Sequence, residues 1–375
     1  MNRKLLDIIG QTDEKYIAEA ENYKRRPIVK IGAIAACLAL AIIGAMFPWS
    51  TGKKPISAST EATNAYYEIP TTASDLPMLS IIDRHDSMGF EGFMAYDISE
   101  IVSNNPWRED IELETLPVFE NTAEYNSHYE IIGSDFPAEE FKKEVASRMK
   151  PDGAEIGYHY PWNVYINFDE PVSLPDEYVF EHHMSYDEAE NTAKYLLEQY
   201  SDLIAFEEPT VDIYYGDYNI YGQQSHDISF YEGKGDYVED ILAFNFNRVT
   251  FHQQDDGKLM SISVLAEDYF TMSKLGDYPI ISLDEAKEKL KNGQLITTVP
   301  RDFEFDLSKP LKCELIYRAG HLDEIYMPYY RFYVELEGFE NKGSEFGLKN
   351  FGAFYVPAVE EKYIENMPVW DGSFN

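Results

Sequence analysis

Nineteen consecutive residues without a charge, IGAIAACLALAIIGAMFPW from Ile31 to Trp49, constrain this chain more than any other feature. As a helix the run spans roughly 28 Å at ~1.5 Å per residue, close to the ~30 Å hydrocarbon core of a bilayer. Gly32 and Gly44 are tolerated in such a helix, Pro48 falls at its outer end, and Trp49 is placed as an interfacial anchor. Lys24, Arg25, Arg26 and Lys30 precede the run, against Lys53 and Lys54 after it. The positive-inside rule therefore puts the N-terminus in the cytoplasm and everything after the helix outside. The expected layout is a cytoplasmic helical segment at 1–26, a transmembrane helix at 27–49 and an extracytoplasmic remainder, all in the cell membrane as a single pass.

Three other readings compete for the same run. A buried core helix would have to accept 19 uncharged residues between basic clusters. A cleaved signal peptide would need an n-region of 30 residues, with only weak small-residue sites near Ser57–Ala58. Ile34-Ala35-Ala36-Cys37 has the form of a lipidation site, but the apolar run continues for a dozen residues beyond the cysteine, where a lipoprotein's should end.

The segment before the run reads as two short helices. Leu5, Leu6, Ile8 and Ile9 make one apolar face, which Gly10 interrupts. Thr12 is then placed as an N-cap, with Asp13 and Glu14 in the first turn and Tyr16, Ile17 and Ala20 on the next face. A piece this short cannot build its own core. Its apolar face, Leu5 to Ile17, meets either the membrane surface or a cytoplasmic protein partner. Residues 50–75, rich in Ser, Thr and Ala with no hydrophobic period, read as a flexible tether.

The formal charge is −36, and residues 1–30 hold seven Lys/Arg against five Asp/Glu, so the rest carries −38. Such a surface repels nucleic acid and anionic headgroups and excludes a nucleic-acid-binding role. Cys37 and Cys313 should lie in different phases, so no internal disulfide is expected.

Beyond residue 75 the patterns are those of an α+β protein. A first region at 76–180 holds LETLPVFEN, a helix from Ala138 to Met149 and the strand-like NVYINF at 163–168. Two near copies follow, Ser185-Tyr186-Asp187-Glu188-Ala189 and Ser282-Leu283-Asp284-Glu285-Ala286. Each places Ser at an N-cap and Glu at N3, the arrangement of a capping box. Each opens an amphipathic helix, with Ala189, Ala193, Tyr195, Leu196 and Tyr200 on the apolar face of the first and Ala286, Leu290 and Leu295 on that of the second. Strands come after both. VDIYYGDYNIY and a hairpin, ILAFNFNRVTFHQQDDGKLMSISVLA turning at Asp255-Asp256-Gly257, follow the first. LKCELIYRA, YMPYYRFYVEL and FGAFYVPAV follow the second. The expected architecture is therefore tandem helix-then-antiparallel-sheet units at 181–280 and 281–375.

Catalytic signatures are not found. There is no G-x-x-x-x-G-K-[ST], G-x-S-x-G or H-E-x-x-H, and GKGDYVED at 233–240 lacks the third glycine of a dinucleotide loop. His182-His183, adjacent in sequence, would point to opposite faces of a strand. Carboxylates are too numerous for any pair to stand out. Tyr214-Tyr215 and Tyr329-Tyr330 can stack on sugar or peptide, although strand alternation should send half of them into the core. The expectation is a protein that is not an enzyme and has no cofactor and no metal ligands.

The motif ISLDEAKEKL-x-x-G, with PYYRFYVEL and YVPAV after it, resembles PepSY-like modules. These are similar to the outer parts of membrane-anchored accessory regulators of the Gram-positive cell-wall sensor kinase. LLDIIG-x-x-DEKYI-x-EA, followed by basic residues and AACLAL, resembles uncharacterised clostridial membrane-anchored proteins, some similar to membrane-bound anti-sigma factors; GFEGFMAYDISEIV resembles the same group. The cytoplasmic part is much shorter than a zinc-binding anti-sigma domain and holds no Cys or His. The resemblance implies a sensing or regulatory protein. The alternative is a surface protein that binds cell wall or peptide without signalling.

Overall fold

The computed structural model describes residues 76–81 and, with short gaps, 93–370. The apolar run, the faces formed by Leu5, Leu6, Ile8, Ile9, Tyr16 and Ile17, and the flanking Lys24, Arg25, Arg26, Lys30 and Trp49 all lie outside the described residues. Among those described, no helix is long and apolar enough to cross a membrane.

The chain is mixed α+β with antiparallel sheets. In chain order it runs β1 (Phe93–Ala95), β2 (Thr115–Asn121), β3 (Glu124–Tyr125), β4 (Ile131–Ile132), α1 (Ala138–Arg148), β5 (Ala154–Tyr160) and β6 (Asn163–Val172). Then come α2 (Tyr186–Gln199), the single turn α3 (Ser201–Ile204), β7 (Pro209–Tyr218), β8 (Gln224–Glu232), α4 (Tyr237–Phe246), β9 (Arg248–Gln253) and β10 (Leu259–Leu265). The last part holds β11 (Met272–Pro279), α5 (Leu283–Lys291), β12 (Lys312–Arg318), β13 (Ile325–Glu335) and β14 (Asn350–Pro357).

Six strands form one sheet in the order β5-β6-β10-β9-β8-β7. Its central strands alternate, apart from a register shift in β10 between Leu259 and Ser261. Ile228 and Phe230, Val249 and Phe251, and Ile262 and Val264 face α1 and α2, where Phe141, Val145, Ala189, Ala193 and Leu196 complete a buried core. Period-two alternation sends the remaining side chains of those strands, mostly polar, to the opposite face.

The second sheet runs β1-β14-β13-β2-β11, with β12 also paired to β13. It is covered on both sides. Tyr330, Phe332, Val334, Phe354 and Val356 join a core with α5 residues Ala286 and Leu290. Tyr329, Tyr333, Phe351 and Tyr355 enter another with Leu79, Ile81, Tyr363 and Ile364, from the two ends of the described chain. This corrects the expectation for Tyr329-Tyr330: both are core, because both faces of β13 are buried. The outer edge of β12 is closed by side chains rather than by a strand. Asn105 Nδ2 donates to Leu315 O (3.3 Å), and the Tyr317 N–H donates to Asn245 Oδ1 (2.9 Å). Blunting an edge in this way removes a template for unwanted pairing.

Both serines cap their helices, but only the first makes the full reciprocal box. At Ser185 the reciprocal box is complete, with Glu188 Oε2 accepting from the Ser185 N–H at 2.7 Å and Ser185 Oγ accepting from the Glu188 N–H at 3.3 Å. At Ser282 the hydroxyl accepts from the Glu285 N–H at 3.2 Å. Ala189, Ala193 and Leu196 are buried on α2, as are Ala286 and Leu290 on α5 and Leu295 just after it. The hairpin is also present, with β9 and β10 paired antiparallel, and Gly257 has φ +78°.

Two expectations are overturned. The stretch ILAFNF is not a strand but most of α4. Its apolar residues give no clear period, and what decides the matter is Asp236, whose Oδ1 accepts from the Val238 and Glu239 N–H groups (2.9 and 3.2 Å). Those bonds satisfy two orphan donors of a first turn. Asp236→Ala should accordingly cost about 1 kcal/mol in a urea titration, the usual loss for a removed N-cap. The sheets also ignore the expected borders at 180 and 280. Strand β2, from the first region, lies between β11 and β13, while β5 and β6 extend the sheet built on β7 to β10. Long-range antiparallel register, not chain proximity, assigns each strand to its sheet.

Candidate functional site

The polar face of the first sheet meets β12 and β13 of the second across an open cleft of about 390 Å³. That is within the range of small-ligand sites. A second cavity, about 20 Å³ beside Arg318 and Asp323, has room for little more than a water.

Two polar clusters build the cleft. At one end, strand β8 gives Asp227, β9 gives His252 and β10 gives Ser263. Asp227 Oδ1 lies 3.0 Å from His252 Nδ1, and Ser263 Oγ lies 3.0 Å from His252 Nε2. Register explains the contact, since Asp227 stands directly opposite His252, and Ser263 is one diagonal step away, paired with Thr250. Midway along, Ser229 Oγ and Thr250 Oγ1 are 2.9 Å apart.

At the other end five charged groups from both sheets converge. Arg248 Nη2 donates to Asp212 Oδ2 (2.9 Å), and the guanidinium lies over the Phe244 ring at 4.7 Å. Glu314 accepts from Lys312 Nζ (2.8 Å), from Arg331 Nε (3.1 Å) and from the Tyr333 hydroxyl (3.0 Å). Burial pushes Asp212 above the ordinary carboxylate value, and Arg248 only partly counters it; the nearby Glu314 charge adds to the rise. Burial acts on Glu314 in the same direction, but Arg331 and Lys312 outweigh it and hold that carboxyl well below its usual range. Two buried carboxyls are thus driven apart by the cations around them. Among the described residues, three cations and two carboxylates meet at this end, inside a chain whose net charge is −36.

The hydrogen-bond order Asp227–His252–Ser263 is that of a nucleophile with its base and orienting acid. Acyl transfer also needs donors aimed at a developing oxyanion. Ser263 sits in a central strand, paired to β6 on one side and β9 on the other, so the ladders take up the backbone amides around it. Its side chain is also nearly covered, the residue being 4% exposed. The arrangement holds and orients polar groups.

Of the residues singled out in the sequence, Tyr214 lines the cleft and Tyr329 and Tyr330 do not. His182, His183, Asp255 and Asp256 fall outside the described residues. The other cleft residues were not anticipated. The signal was present as alternation: DISF at 227–230, RVTFH at 248–252 and SISV at 261–264 each place a polar residue at every second position.

No family model matches the chain, and no curated protein matches it. Among solved structures, the Bacillus megaterium YpeB C-terminal domain is similar over 53% of this chain and 88% of its own, at 16% identity and a TM-score of 0.25. An uncharacterised protein from Eubacterium rectale is similar over 65% of this chain and 82% of its own, at 10% identity and a TM-score of 0.23.

Proposed function

We propose that this chain is a membrane-anchored extracytoplasmic binding protein with PepSY-like modules, in which the cleft takes a ligand and residues 1–26 report it to a cytoplasmic partner. The observation that carries the reading is the polar cleft between the two sheets, where six strands bring charge and hydroxyls together. The anchoring half rests on the uncharged run at Ile31–Trp49 and the basic cluster ahead of it.

Protease added to intact cells should remove residues 76–375 and leave a membrane-bound N-terminal fragment; full protection of that region would sink the topology. Residues 1–26 used as bait should recover a cytoplasmic protein, and deletion of the gene should change transcription. Failure of both would reduce the protein to a surface binder of wall or peptide without a signalling role. The expectation that the cleft carries out no acyl transfer has its own check. An excess of a fluorophosphonate probe should leave Ser263 unmodified by mass spectrometry, and stoichiometric labelling abolished by His252→Ala would restore the hydrolase reading.

A further inference from the structure

We infer that the cleft binds a short extended peptide with both ends free, its carboxylate against Arg248 and Arg331 and its ammonium against Asp227. The inference rests on the binding role proposed above and names the ligand class. Arg248 and His252 share a face of β9, four residues apart, and Asp227 stands opposite His252. At ~3.3 Å per residue the basic and acidic ends of the cleft are therefore about 13 Å apart. An extended chain covers that span with about four residues at ~3.3–3.6 Å each.

Charge makes the same selection. Arg248 and Arg331 both line the cleft at this end, and their guanidinium groups suit a carboxylate. Asp227, with a third of its side chain open, supplies the opposite sign at the far end. A ligand with both charges is neutral overall, so the acidic surface, which repels anions at a distance, does not oppose its approach. Between the ends the Thr250 hydroxyl can bond a peptide backbone, and Phe244, Leu265 and Ile316 offer apolar wall to small side chains.

The test is calorimetric titration of the full chain in detergent micelles with tetra-alanine, its C-terminal amide and its N-acetyl form. Free tetra-alanine should bind saturably, and either cap should weaken binding tenfold or more. Arg248→Gln should reduce the free peptide to the level of the amide, and Asp227→Asn should erase the difference between free and acetylated peptide. The peptide comparison uses the unaltered chain, so it stands even if a variant fails to fold. No saturable binding of tetra-alanine, or equal binding of free and amidated forms, overturns the inference. Such a result leaves the topology untouched, because protease access on intact cells is measured separately.

Discussion

Phe246→Ala should destabilise the folded region by about 3–5 kcal/mol, the range for truncating a fully buried aromatic. Phe246 is the last residue of α4 and is completely buried. Its ring lies 5.9 Å from Phe119, 5.1 Å from Phe270 and 5.3 Å from Tyr317, each near edge-to-face, with Tyr326 at 6.4 Å. Phe119, Tyr317 and Tyr326 belong to the second sheet, whereas α4 connects β8 to β9 of the first. One side chain thus fills the junction between the sheets. Its removal forfeits the apolar transfer and opens a cavity walled by rings that cannot collapse inward without leaving their own packing. Edge-to-face pairs add about 0.5–1.5 kcal/mol each beyond burial, which places the expected loss toward the upper end. Urea titration should show a lowered midpoint with an unchanged slope, and Phe246→Leu should recover most of the loss because it refills much of the volume. A cost below about 1 kcal/mol would mean that the sheets are not joined through this residue.

The same junction shows why some of the molecule was legible in the sequence and some was not. Capping at Ser185 and Ser282 is local chemistry within four residues, and the helices that follow carry their apolar residues at helical spacing. The hairpin at Gly257 needs only a turn residue able to adopt positive φ. Helix α4 was misread because ILAFNF is apolar on nearly every side, and a short run of that kind has no period to separate strand from helix. Asp236 was the available clue, a side chain able to cap the donors that follow it. The partition of strands between sheets was not accessible at all. β2 pairs with β11 across more than a hundred residues of chain, a choice made by tertiary packing. The cleft is a product of that choice. Asp212, Asp227, Arg248, Glu314 and Arg331 lie on five strands and meet only once both sheets exist.

Glu314→Gln should cost about 3–5 kcal/mol at pH 7, the loss expected when one member of a buried ion cluster is neutralised and its partners stay. The substitution keeps volume and shape, so packing is not the cause. Glu314 now accepts on both oxygens, from Lys312 at Oε1 and from Arg331 and Tyr333 at Oε2. An amide offers one acceptor oxygen, and its NH₂ group must face donors on the other side, leaving at least one cation buried against a donor. The pH dependence has a definite sign. The folded carboxyl lies below its unfolded value of 4.5, so its contribution is complete above that pH and is lost as pH falls through the folded value. The gap between the native chain and Glu314→Gln should therefore be full at neutral pH and narrow steadily in acid. Asp212 acts oppositely, since burial raises its value; it favours the folded state below 3.8 and loses that effect as pH rises through its folded value. Removing the Glu314 charge also lets Asp212 ionise more readily beside Arg248, which offsets part of the loss. If the gap stayed constant from neutral pH into acid, the carboxylate of Glu314 would not be what binds the cations of β12 and β13.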